Sequence, residues 1–211
     1  MRWAGLDLNH GRGVSLRRMD LTPARPLPSD AALKVAVILG SNREGRFGPV
    51  VAEWFLSRTA GHPDIETDLI DTADSEPPSV PRPVGIEARL DRADAFVVLT
   101  PEYNHSYPAP LKHLIDRHRT EWQAKPVAFV SYGGISGGLR AVEHLRQVFA
   151  ELHVVSVRDT VSFHQAGTLF DDRGALKDPA PAEAAATRLL DQLLWWGLAL
   201  REARARRPYG G

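Results

Sequence analysis

Hydrophobic residues in this chain come in short unbroken runs, set between stretches where they recur every three or four positions. Val35-Ala-Val-Ile-Leu39, Ala95-Phe-Val-Val-Leu-Thr100 and Val127-Ala-Phe-Val-Ser131 are apolar at almost every position and predict strands with no wet face. Ile65–Asp71 alternates, as a strand nearer a sheet edge does, and Val154–Val157 predicts a fifth strand. Helical spacing appears at Val50, Val51, Trp54 and Phe55, in a helix ending near Arg58–Gly61. It returns in a short helix over Glu87–Arg92, at Leu111, Leu114 and Ile115, and at Leu139, Val142, Leu145, Phe149 and Leu152. A last helix is expected over Pro181–Ala203. Residues 72–84 hold Pro77, Pro78, Pro81 and Pro83 and predict a loop, as do residues 159–180 with a turn at Asp171–Gly174.

Strands alternating with helices, the middle ones apolar throughout, imply an α/β fold: a five-stranded parallel sheet covered by helices on both faces. Right-handed crossovers limit it to a few doubly wound orders, and ligands of such sheets bind beyond the carboxyl ends of the strands, where the strand order switches. Three loops leave those ends, Gly40–Gly48, Pro101–Pro110 and Ser131–Gly138, and a single site built from all three is the simplest arrangement.

Composition narrows the classes of function. The chain has 211 residues, enough for one α/β domain over residues 33–203, with a flexible extension expected at 1–32 and a tail at 204–211. Lysine plus arginine equals aspartate plus glutamate, so no global field recruits nucleic acid or an anionic membrane. The absence of cysteine removes thiolate nucleophiles and cysteine-ligated metals and fits a cytoplasmic setting. Residues 1–32 lack the apolar core of a secretory signal, and no apolar run approaches the ~20 residues that cross a bilayer. His113, His118, His144, His153 and His164 form no metal-ligand pattern.

The loop Gly40-Ser-Asn-Arg-Glu-Gly-Arg-Phe-Gly48 joins a buried strand to a helix. Free N–H groups at a helix start attract a phosphate, glycines let the main chain approach it, Ser41 can donate, and Arg43 and Arg46 can add charge-assisted donors. No Gly-Lys-Ser/Thr follows and the glycine spacing does not fit Gly-x-Gly-x-x-Gly. Two arginines point to a terminal monophosphate rather than a bridging pyrophosphate. In Pro101-Glu-Tyr-Asn-His-Ser106, Tyr103 and His105 offer flat faces to a planar ring, and Asn104 can read its edge. Four glycines in Ser131-Tyr-Gly-Gly-Ile-Ser-Gly-Gly138 bring backbone amides close to a ligand. The ligand that suits all three loops has a planar polar ring at one end and a phosphate at the other.

That last turn also holds a rival. Gly134-Ile-Ser-Gly-Gly138 matches Gly-x-Ser-x-Gly, and Asp159 and His164 follow in hydrolase order. A nucleophile elbow needs its serine directly off the strand, and here Tyr132 to Ile135 intervene. The final helix is apolar over well over half its circumference (Leu189, Leu190, Leu193, Leu194, Trp195, Trp196, Leu198, Leu200), more than a surface helix needs, which suggests a subunit interface or deep packing.

Taken together, these three motifs resemble the NADPH-dependent FMN reductase family of flavodoxin-like proteins. The likeness runs from about Leu33 to Leu200 and rests on Gly40–Gly48 with Val51-Ala-Glu-Trp54, on Pro101–Ser106 with Leu111-Lys112 and Ile115-Asp116, and on Ser131–Ala141. It implies non-covalent FMN, with Ser41, Arg43, Arg46, Phe47 and Gly48 at the phosphate. Pro101, Glu102, Tyr103 and Asn104 would flank the isoalloxazine, and Ser131, Gly133 and Gly134 would border its pyrimidine edge. It implies hydride transfer from NADPH or NADH through FMN to a small acceptor such as a flavin, quinone, azo or nitro compound or metal oxyanion. A separate monooxygenase could receive reduced flavin, and a homodimer or homotetramer is expected. Arg117-His-Arg119 departs from relatives that carry an aromatic or aliphatic residue after the Ile-Asp pair. Two other classes remain open, a flavodoxin-type electron carrier and a non-catalytic FMN-binding module; the balanced charge argues against a carrier that docks through acidic patches.

Overall fold

A computed structural model describes residues 32–74 and 85–210. The expectation of a flexible extension over residues 1–32 falls almost wholly outside them, as does most of the proline-rich segment after residue 74. Five strands, β1 (Leu33–Leu39), β2 (Ile65–Asp71), β3 (Ala95–Pro101), β4 (Pro126–Tyr132) and β5 (Val155–Phe163), form one sheet in the order β2-β1-β3-β4-β5. Every adjacent pair is parallel. The helices are α1 (Gly48–Thr59), α2 (Ile86–Arg92), α3 (Ala109–Asp116), α4 (Leu139–Glu151), the single turn α5 (Ala166–Leu169) and α6 (Ala180–Arg206). This is the flavodoxin-like doubly wound architecture.

β3 and β4 are buried at every position, as their unbroken apolar runs require. Alternate residues of each strand feed two cores. One joins Val35, Val37, Val97 and Val130 to α1 and α6 through Phe55, Leu189 and Leu193; the other joins Ile38, Phe96, Val98 and Phe129 to α2, α3 and α4 through Leu90, Leu111 and Phe149. The chain runs from β1 out to β2 and returns to the other side of β1 for β3. The switch point therefore lies between β1 and β3, the place where sheets of this kind hold ligands in a crevice at the carboxyl ends of the strands.

Two expectations need correction. The fifth strand continues to Phe163, where a loop from residue 159 was expected. β5 is an edge strand, so Arg158 can face solvent while Asp159, only 17% exposed, pairs with Arg158 and Arg188, and the β4–β5 register slips between Val127 and Phe129. Arg146 Nη1 donates to the Val157 carbonyl (2.8 Å) and Nη2 to that of Arg158 (3.0 Å), satisfying groups the bulge leaves unpaired. The final helix is also longer than expected, from Ala180 to Arg206. Leu189, Leu190 and Leu193 face the core, whereas Trp195 is 64% exposed and Trp196 and Leu198 are also exposed. Among the described residues no helix is long and apolar enough to cross a membrane.

Candidate active site at the carboxyl edge of the sheet

α1 begins without a side-chain cap: Phe47 sits at the N-cap position, and Pro49 follows Gly48 in the first turn. The amides of Ser41, Asn42, Glu44, Gly45, Phe47 and Gly48 donate to no acceptor among the described residues. A helix start that supplies no cap of its own leaves its donors and its positive dipole end for an anion. Glycine is required at position 48, because a Cβ there would lie 2.6 Å from Leu39 Cδ1 and 2.8 Å from the Tyr132 hydroxyl.

The two arginines of this loop behave differently. Arg43 is exposed and makes no ion pair among the described residues. Arg46 reaches across to the end of β2, where Nη1 and Nη2 meet Asp71 Oδ1 and Oδ2 at 2.8 and 2.5 Å, and Nη1 also donates to the Ser41 carbonyl. Arg46 thus ties the loop to the sheet, a role its sequence position alone does not reveal. The buried Ser41 hydroxyl lies 2.6 Å from the Tyr103 hydroxyl and accepts the Arg43 amide at 3.4 Å.

Tyr103 opens a tight turn. Its amide donates to the Ser106 carbonyl at 2.8 Å and the Ser106 amide returns a bond at 3.0 Å, while Asn104 and His105 sit at φ 50° and 69°. Two successive left-handed residues match a type I′ turn, a conformation strained for histidine and tolerated by asparagine. The turn leaves Asn104 and His105 exposed at the mouth of the crevice.

Glu102 acts on the third loop. Its carboxylate accepts the Ser136 hydroxyl (2.6 Å), the Arg140 amide at the start of α4 (3.3 Å) and Arg140 Nε (2.5 Å). It therefore caps α4 from another segment of the chain, where the helix dipole favours an anion. Burial alone would raise its carboxyl pKa; the hydrogen bonds from Arg140 and Ser136 outweigh burial and hold it below the usual carboxylate range. Arg140 Nη1 also meets His105 Nε2 at 2.9 Å. Pro101 and Ser131 are buried beneath these loops, Ser131 donating to the Gly137 carbonyl at 2.8 Å. Gly138, at φ 85°, packs so closely that a Cβ would come within 2.7 Å of Ser131 Cβ. Around Gly134, by contrast, a Cβ would meet nothing within 4 Å, leaving that backbone open to a ligand.

The structure thus brings all three predicted loops to one edge. It does not assemble a hydrolase triad: Ser136 is bonded to Glu102, His164 Nδ1 lies 3.0 Å from the Ile135 carbonyl, and Asp159 pairs with Arg158 in the β5 bulge. No group of histidine, aspartate or glutamate among the described residues could hold a metal ion. Sequence reasoning placed Tyr132 and Ile135 in the glycine turn and Arg140 in the third motif without giving them a role, and it missed Asp71. Of these only Ile135, an apolar residue between Gly134 and Ser136, carries a local signal, and it is 83% exposed.

The crevice fits a flavin mononucleotide in its donor set: unsatisfied amides at a helix start, glycine where a side chain would intrude, and an aromatic turn beside them. Comparison with known proteins agrees. Residues 33–168 match the model of the NADPH-dependent FMN reductase family. A rice (Oryza sativa subsp. japonica) protein named "Probable NADPH:quinone oxidoreductase 2" is 33% identical over 186 residues, covering 79% of this chain and 88% of its own. An NAD(P)H-dependent FMN reductase of Schizosaccharomyces pombe is 35% identical over 121 residues, 50% of this chain and 60% of its own length. Among solved structures, the flavoenzyme NAD(P)H:(acceptor) oxidoreductase FerB of Paracoccus denitrificans shares the fold, with TM-score 0.63, 21% identity, and coverage of 80% of this chain and 98% of that one. On the combined strength of its motifs, its sheet and these similarities, the chain belongs to the NADPH-dependent FMN reductase family, flavodoxin-like enzymes that use FMN with NAD(P)H as electron donor.

Proposed function

We propose that FMN binds non-covalently along the carboxyl edge of β1, β3 and β4, and that the protein passes electrons from NAD(P)H to a small acceptor, a flavin or a quinone. The observation that carries the reading is the set of six amides between Ser41 and Gly48 that find no acceptor among the described residues, at the uncapped start of α1, joined to the aromatic turn by the Ser41–Tyr103 hydrogen bond. Ser41, Arg43, Arg46, Phe47 and Gly48 surround the phosphate in this reading. Pro101, Glu102, Tyr103 and Asn104 flank the ring system, and Ser131, Gly133 and Gly134 lie along its polar edge.

FMN held there would supply the redox chemistry that links a nicotinamide donor to the acceptor. The chain holds and orients it. Arg46 and Asp71 brace the phosphate loop, and Glu102 with Arg140 and Ser136 fixes the spacing between the aromatic turn and the glycine turn. No acid, base or nucleophile of the protein is required, in keeping with a Glu102 fully engaged in structural bonds.

An absorbance spectrum of the purified protein, followed by anaerobic titration with NADPH and with NADH, tests the reading. A yellow protein bleached by either nicotinamide, and turning over with a flavin or quinone, supports it. Protein that binds no flavin overturns it, and flavin that stays oxidised reassigns the chain to a binding module. The same reading extends to a homodimer or homotetramer covering the exposed Trp195, Trp196 and Leu198, to a cytoplasmic setting and to delivery of reduced flavin to a separate monooxygenase. Light scattering at micromolar concentration tests the assembly.

A further inference from the structure

Tyr132 carries a polar atom that nothing in the described chain satisfies. The residue is 4% exposed, and its hydroxyl oxygen is buried without a hydrogen-bond partner. Buried hydroxyls in folded proteins are almost always bonded, so an orphan in the wall of a ligand site asks for a ligand. Its position is specific. Tyr132 ends β4, its ring stands 6.2 Å from that of Phe47, and its hydroxyl lies 2.8 Å from where a Cβ on Gly48 would sit. Gly48 opens α1, and neither its amide nor that of Phe47 has an acceptor among the described residues. The hydroxyl and the helix amides therefore meet at one spot.

The chemistry there is one-sided. Burial, reinforced by Tyr103, pushes the Tyr132 phenol well above its ordinary value, so it stays protonated and can donate at any working pH. The nearby carboxylate, Asp71, is taken by Arg46 and by the Ala73 amide. The Ser41 hydroxyl is engaged with Tyr103. What remains is a set of donors without an acceptor, the complement of a group that only accepts.

We propose that the Tyr132 hydroxyl is a further donor to the phosphate of the bound cofactor, closing the cradle from the sheet side. The inference rests on the reading of the crevice as an FMN site and adds a residue from β4 to a phosphate loop otherwise built by the β1–α1 connection.

Titrating the apoprotein of wild type and Tyr132→Phe with FMN, with riboflavin and with inorganic phosphate separates the cases, flavin fluorescence and the thermal midpoint serving as readouts. The hydroxyl makes no bond among the described residues, so the Phe variant is expected to melt at or above the wild-type temperature. Its FMN dissociation constant should rise about tenfold to a hundredfold, the worth of a hydrogen bond to a charged acceptor, while that of riboflavin changes less than about twofold. Stabilisation of the apoprotein by inorganic phosphate should weaken in parallel. Equal FMN binding by both proteins overturns the inference and leaves the FMN site standing. Equal losses for FMN and riboflavin also overturn it, since the hydroxyl would then serve the ring or the sugar chain. A wild type that binds neither flavin removes the site itself, and the inference with it.

Discussion

The hydroxyl oxygens of Ser41 and Tyr103 lie 2.6 Å apart although 62 residues separate them in the chain. One belongs to the loop that leaves β1 and the other to the turn that leaves β3, the two strands flanking the switch point. The bond therefore sets the distance between the anion cradle and the aromatic turn. A ligand with a phosphate and a flat ring feels that distance at both ends.

Removing either hydroxyl should loosen that spacing. Ser41→Ala and Tyr103→Phe are each expected to weaken FMN binding, and in the apoprotein a double-mutant cycle by urea unfolding should return a coupling of about 0.5–1.5 kcal/mol. Strict additivity of the two changes would mean that the contact carries no energy.

Arg46 and Asp71 form a two-point pair whose side chains are only 17% and 20% exposed. Replacing Asp71 with Ala leaves a guanidinium without its carboxylate and should lower the stability of the apoprotein by about 1.5–3 kcal/mol, the range for hydrogen bonds to charged groups. Hydrogen exchange should accelerate over residues 41–46, which Arg46 holds to the end of β2. Unchanged exchange there would contradict the bracing role.

Glu102 gives a dependence on acid. Its carboxyl is held below the usual range in the folded protein, so it adds stability that is complete above the unfolded value of about 4.3 and is lost as pH falls through the folded value. Glu102→Gln should cost about 1–3 kcal/mol at pH 7 and progressively less below about pH 4. Urea melts of both proteins at pH 7 and pH 3.5 check this; a gap that widens in acid would reverse the sign.

Lys125 gives a dependence at high pH. Its ammonium donates to the carbonyls of Leu90 (2.9 Å) and Asp91 (2.8 Å) at the end of α2. Burial, aided by Arg204 and opposed by Asp91, Asp94 and Glu121, lowers its pKa to about 8. Between about pH 8 and an unfolded value near 10.4 the unfolded chain binds more protons, so this group adds stability as pH rises through that window. The stability of wild type relative to Lys125→Met should therefore increase from pH 7.5 to pH 9.5. A flat or falling difference in chemical denaturation would refute the assignment.

The sheet, the alternation of elements and the three loops at its carboxyl edge are legible in the residues alone. These are local properties: an apolar run such as Ala95–Leu99 has no wet face in any context, and glycines at 45, 48, 137 and 138 announce loops before the fold is known. The pattern misjudged β5 because Arg158 and Asp159 look like loop residues until an edge position gives Arg158 solvent and Asp159 its arginine partners. What the side chains of those loops touch depends on the folded packing. Arg46 faces Asp71 across 25 positions, Glu102 caps a helix that begins nearly forty positions later, and Tyr132, an apolar-looking strand end, delivers a hydroxyl beneath Gly48. Such pairings depend on which strand lies next to which, and the order β2-β1-β3-β4-β5 sets that through packing between distant segments, which no local pattern encodes.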